Sequence, residues 1–159
     1  MKPAPKSNPT ESPSRQLAGF IAKFDPAIAK QIREARSLLR KRFPTAHELV
    51  YDNYNFFVIG YSPTERPSDA LLSLTANAKG LGLCFLHGKK LPDPHNILQG
   101  SGNQTRFIRL ETPATLRQPM VEALFRAAVD QSKAPLPASG AGRLIIRMIS
   151  PKQRPRRLT

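Results

Sequence analysis

The stretch ALLSLTANAKGLGLCFL, Ala70–Leu86, decides the fold class. Two apolar runs, Ala70–Ala76 and Leu81–Leu86, are separated by Asn77–Gly80, a connection of hairpin length with glycine at its end. Parallel neighbours need a crossover of a dozen or more residues, so strands this close in sequence pair antiparallel. Upstream, Glu48–Asp52 and Phe56–Tyr61 repeat the arrangement around Asn53-Tyr54-Asn55, and the two-proline segment Ser62–Ser68 is a loop. Downstream, Thr105–Leu110 supplies a fifth strand.

Helical periodicity brackets this sheet. Ser14 is the expected N-cap of a short helix with Leu17, Phe20, Ile21 and Phe24 on one face. Asp25-Pro26 restarts the pattern, with Ile28, Ile32, Ala35 and Leu39 recurring until Pro44 stops it. Arg36, Arg40, Lys41 and Arg42 sit toward the end of that helix, where cations complement the dipole. Pro113 and Pro119 lead into a last helix carrying Met120, Val121, Leu124, Phe125, Ala127 and Ala128. The expected fold is α+β, an antiparallel sheet of about five strands flanked by N-terminal and C-terminal helices.

One domain accounts for 159 residues. Residues 1–13, proline-rich and without periodicity, are expected to form a disordered arm, residues 14–133 the domain, and residues 134–159 a basic Pro/Gly-rich tail. Within that tail Leu144–Ile149 could add a strand or docking segment. The net charge is +14, which suits an anionic ligand or acidic partner. From Lys133 onward there are seven cations and no acid; between Arg15 and Asp130 sixteen cations face ten acids. Lys152, Arg154, Arg156 and Arg157 would give a loose, non-specific nucleic-acid contact without aromatic residues to read bases. A lone cysteine, Cys84, excludes an internal disulfide and multi-cysteine zinc sites. No apolar run approaches membrane-spanning length and the N-terminus lacks a signal-peptide core, so a cytoplasmic protein without membrane contact is expected.

The polar block between the fourth and fifth strands, HGKKLPDPHNILQGSGNQTR, holds the candidate chemistry. Lys89, Lys90, His95, Gly100, Gly102 and Arg106 form the expected anion-binding surface, because glycine-rich turns can aim backbone amides at an anion. The glycines lead into a strand rather than a helix, and no Gly-Lys-Ser/Thr follows, so a plain turn outweighs a nucleotide loop. Arg106 shares its strand face with Ile108 and Leu110, so an ion pair with Glu48, Asp52, Asp93 or Glu111 is expected. His87, Asp93 and His95, with Glu48 and Asp52 as further carboxylates, are the alternative, metal-binding set. No nucleophile elbow or paired nucleophile and base stands out, so an enzyme is not expected.

The runs Gly88-Lys89-Lys90-Leu91-Pro92-Asp93-Pro94, Leu98-Gln99-Gly100-Ser101-Gly102 and Thr105-Arg106-Phe107-Ile108-Arg109-Leu110, after the upstream Glu48 and Tyr51, resemble the bacterial YdhG-like family over Leu17–Gln131. The resemblance implies an antiparallel sheet flanked by helices, similar to frataxin. It also implies, as an alternative function, intracellular iron binding and delivery, with iron as the cofactor. Frataxin-type iron handling uses an acidic ridge, whereas Pro26–Arg42 here holds Glu34 as its only acid.

Overall fold

Residues 11–158 are described by a computed structural model. Two helices, α1 (Pro13–Ala22) and α2 (Pro26–Arg42), precede four strands: β1 (His47–Asp52), β2 (Phe57–Ser62), β3 (Leu72–Asn77) and β4 (Gly80–Phe85). Strand β5 (Arg106–Leu110), helix α3 (Pro119–Gln131) and strand β6 (Leu144–Ile149) complete the order. The class is α+β, as the patterning indicated. Residues 1–10 of the expected arm lie outside the described residues.

Helix α1 begins earlier than expected. Ser12 Oγ, not Ser14, accepts from Arg15 N at 3.2 Å, because Pro13 takes the first helical position, where its missing N–H costs nothing. Pro26 plays the same part in α2, although the Asp25 side chain makes no capping bond.

Sheet order is β5-β4-β3-β2-β1-β6, six strands instead of five. The first five pair antiparallel, with Leu74 opposite Leu83 and Val50 opposite Ile59. Strand β6 pairs parallel to β1, Glu48 to Leu144 and Asp52 to Ile149, with a register shift between Val50 and Tyr51. Leu144–Ile149, which the sequence offered as a strand or docking segment within the tail, therefore forms one edge of the sheet. Its connection back from β5 contains α3, the long crossover that a parallel pairing requires.

Alternation places Phe57, Ile59, Tyr61, Leu72, Leu74, Leu83 and Phe85 in one buried layer with Phe24, Ile32, Leu39 and Phe125 from the helices. The rings of Phe43 and Phe125 meet edge to face at 5.3 Å, and those of Phe24 and Phe57 at 6.0 Å. No helix among the described residues is long and apolar enough to cross a membrane.

Candidate anion-binding site

Three separate segments converge beyond the end of β4. The β2–β3 loop brings Arg66 and Ser68, the turn after β4 brings His87 and Lys90, and the end of α3 brings Gln131 and Lys133. Together with Gln104 they surround a cavity of about 650 Å³ whose apolar base includes Ala70, Leu71 and Ala128. That volume lies within the usual range for small-molecule sites.

The rim is cross-linked through backbone groups. His87 Nε2 lies 3.3 Å from the Ser68 carbonyl, Gln131 Nε2 donates to the His87 carbonyl at 3.1 Å, and Lys89 N donates to the Gln104 carbonyl at 2.8 Å. These bonds hold the segments together while leaving the ammonium groups of Lys90 and Lys133 on exposed stems. Asp69 is the single carboxylate lining the cavity, and its Oδ2 accepts from Thr64 Oγ1 at 2.7 Å. Arg66, Lys90 and Lys133 thus outnumber acid three to one. The lining therefore carries a net positive charge.

The expected surface divides. Lys90 lines the cavity and Lys89 braces it through its backbone, whereas His95 is exposed on the β4–β5 connection, outside the cavity lining. Gly100 and Gly102 belong to a loop closed by an antiparallel bridge between Gln99 and Phe107. Arg106 does not form the expected ion pair. Its Nη1 donates to the carbonyls of Gly102 and Thr105, both at 2.8 Å, so the loop turns oxygens toward the guanidinium. Glu111 is within ion-pair distance of Arg109 instead, at 3.4 Å.

The metal set is also dispersed. Glu48 accepts Arg36 Nε and Nη2, both at 2.9 Å, and the Tyr61 hydroxyl at 2.9 Å. Asp52 faces Lys23 at 2.6 Å and Arg156 at 2.8 Å. Asp93 accepts from the backbone N–H groups of Ile97 and Leu98, both at 2.9 Å. Among the described residues no group of three or more His, Cys, Asp or Glu side chains could hold a metal ion. Only His87, Asp93 and His95 lie near one another in the chain, and the turn at Pro92–Asn96 uses its carboxylate internally.

Electrostatics around Glu48 fix protonation. Burial lowers Arg36, but hydrogen bonding and charge from Glu48 leave it raised above its ordinary value. Burial, then the negative Glu48, pushes the Tyr61 hydroxyl well above 10.0, so it stays a donor. Burial also raises the Cys84 thiol, partly offset by a hydrogen bond with Thr75. A raised thiol is a poor nucleophile at neutral pH.

Sequence reading missed Arg66, Ser68, Gln104, Gln131 and Lys133 as one site. They come from three separate stretches of chain, the β2–β3 loop, the β4–β5 connection and the end of α3, and Lys133 reads in sequence as the first cation of a tail. Comparison with protein-family models, with curated proteins and with solved structures finds no match.

Proposed function

We propose that this protein is a non-catalytic binding protein for a small anionic ligand, seated among Arg66, Lys90, Lys133 and His87. The carrying observation is the convergence of three cations, from loops and a helix end, on a cavity with an apolar base and one internally bonded carboxylate. Guanidinium and ammonium groups supply the charge, Gln104 and Gln131 supply orientable amides, and Leu71 offers apolar contact to an organic portion of the ligand. A ligand carrying one or two carboxylate or phosphate groups matches this donor-rich lining. Absence of catalysis is part of the proposal: the cavity lining pairs His87 with no cysteine or serine nucleophile activated by a buried acid. The YdhG-like resemblance belongs to the same proposal and rests on the motif residues between Gly88 and Leu110.

Thermal unfolding of the full chain with simple dicarboxylates and organic phosphates, against chloride at matched ionic strength, tests the reading. A saturable rise in Tm that disappears in the Lys90→Gln/Lys133→Gln double variant supports it. An equal rise with chloride, or one that persists in the double variant, overturns it.

A further inference from the structure

Helix α2 carries a second basic surface, remote in sequence from the cavity above. Arg33, Arg36, Arg40 and Lys41 line a groove of about 650 Å³ closed on its far side by Gly140 and Ala141, in the connection to β6. The groove is built by packing as much as by charge. Ile32, Ala35 and Leu39 bury the opposite face of the helix, which forces Arg33, Arg40 and Lys41 outward. Arg36 is half-buried and locked by its two-pronged bond to Glu48, and Arg40 Nε approaches the same carboxylate at 3.7 Å. Arg36 and Arg40 therefore share one buried acid, Arg33 and Lys41 have no ion-pair partner among the described residues, and no carboxylate lines the groove itself.

We infer that this groove binds the phosphate backbone of a nucleic-acid duplex. Arg33 and Arg40 are seven residues apart, about 10 Å along the helix. Measured along a duplex axis, that distance corresponds to about three base-pair steps. Arginine dominates the set, and its planar fork matches phosphate oxygens better than a point charge does. The groove lining contains no aromatic side chain, so unstacked bases of a single strand have no platform. It also lacks the broad apolar face a membrane-lying helix needs, and the large buried anchors a folded protein partner would use. A duplex hides its bases and presents only backbone, which fits what the groove offers. Recognition is therefore independent of sequence. The connection carrying Gly140 and Ala141 is held to the body where Gly142 N donates to the Pro44 carbonyl at 3.2 Å, giving the groove a fixed second wall.

This site does not depend on the small-anion cavity, and one experiment separates them. Fluorescence anisotropy of the full chain with a labelled mixed-sequence duplex is measured between about 50 and 200 mM salt. Binding should weaken with a log–log slope of about −2 to −3, as expected for two or three neutralised phosphates. The Arg33→Gln/Lys41→Gln variant leaves the Glu48 pairings in place, so its Tm should match the parent while its affinity falls at least about tenfold and its slope flattens by about two. The Lys90→Gln/Lys133→Gln variant should bind duplex as the parent does. Absence of salt-dependent binding, retention of parental affinity in the α2 variant, or equal loss in the Lys90/Lys133 variant would each overturn the assignment. Binding to anionic vesicles but not to duplex would overturn it as well.

Discussion

Arg156 donates from Nη2 to Asp52 Oδ1 at 2.8 Å across 104 residues of chain, with both side chains buried. The same nitrogen reaches the Asn53 carbonyl at 2.6 Å, and the guanidinium lies 5.9 Å from the centre of the Phe24 ring. Lys23 at the end of α1 approaches the other oxygen of Asp52, and Gln153 Nε2 donates to the Asp52 carbonyl at 2.9 Å. Arg157 donates to the Lys23 carbonyl at 3.1 Å, where the cationic side chain meets the negative end of a helix. What composition suggested was a free basic tail is a latch joining β1, α1 and β6.

Removing one partner should show its weight. Arg156→Ala leaves Asp52 buried with Lys23 alone, and a loss of about 3 kcal/mol is expected in urea unfolding. Arg156 Nε and Nη1 are themselves buried without hydrogen-bond partners among the described residues. Arg156→Met paired with Asp52→Asn should therefore recover part of the loss, since the buried guanidinium and its buried counter-charge vanish together and the partly exposed Lys23 is left to solvent. A single variant as stable as the parent would show that the latch contributes nothing.

Two glycines stand where a side chain has no room. A Cβ on Gly88 would lie 2.6 Å from Arg106 Cβ and 2.9 Å from Arg106 N, and one on Gly142 would collide with the Ala46 carbonyl. Neither has a flexible neighbour to give way, so each alanine variant is expected to lose about 2 kcal/mol or more. Gly102→Ala, with open space around it, should be near neutral in the same melting series.

Asp93 should behave as a turn residue. Asp93→Ala strands the N–H groups of Ile97 and Leu98 and should cost about 1–3 kcal/mol. Anaerobic ferrous-iron titration is expected to show no saturable uptake that depends on His87, Asp93 or His95, since those groups do not meet. Uptake lost in His95→Ala would contradict the geometry.

Acid stability should depend on Glu122. Hydrogen bonding from Arg42 holds its carboxyl below 4.5, against a smaller opposing effect of burial, with Arg42 and Arg126 charges adding to the lowering. A carboxylate lowered in the folded state stabilises at pH above its ordinary value, and that stability is lost as pH falls through the folded value. The parent should therefore lose Tm below about pH 4.5 more steeply than Glu122→Gln. The difference should be small, because both side chains of the Arg42 pair are about one-third exposed and screened.

Hairpin-length loops, alternating strands and proline-led helices were legible because they depend on local chemistry: turn residues, side-chain periodicity, and a proline ring that starts helices. Lys90 and His87 could be singled out from their polar block, yet the cavity that gives them company could not. Its other walls come from the β2–β3 loop and the end of α3, which only packing of the core brings together. Arg106 could be read as facing the apolar side of its strand, but its partners proved to be carbonyls of its own loop.

By itself the sequence determined the α+β class, most of the buried stripe of each helix (Met120 excepted, which is exposed), and the excess of positive charge. Only the tertiary structure decided where that charge lies. The sixth strand pairs with a segment nearly a hundred residues away, and parallel pairing leaves no local turn signature. The strand docks because β1 offers an open edge, and Arg156 beyond it docks because Asp52 offers a buried negative charge, two properties of the assembled sheet that no local window contains.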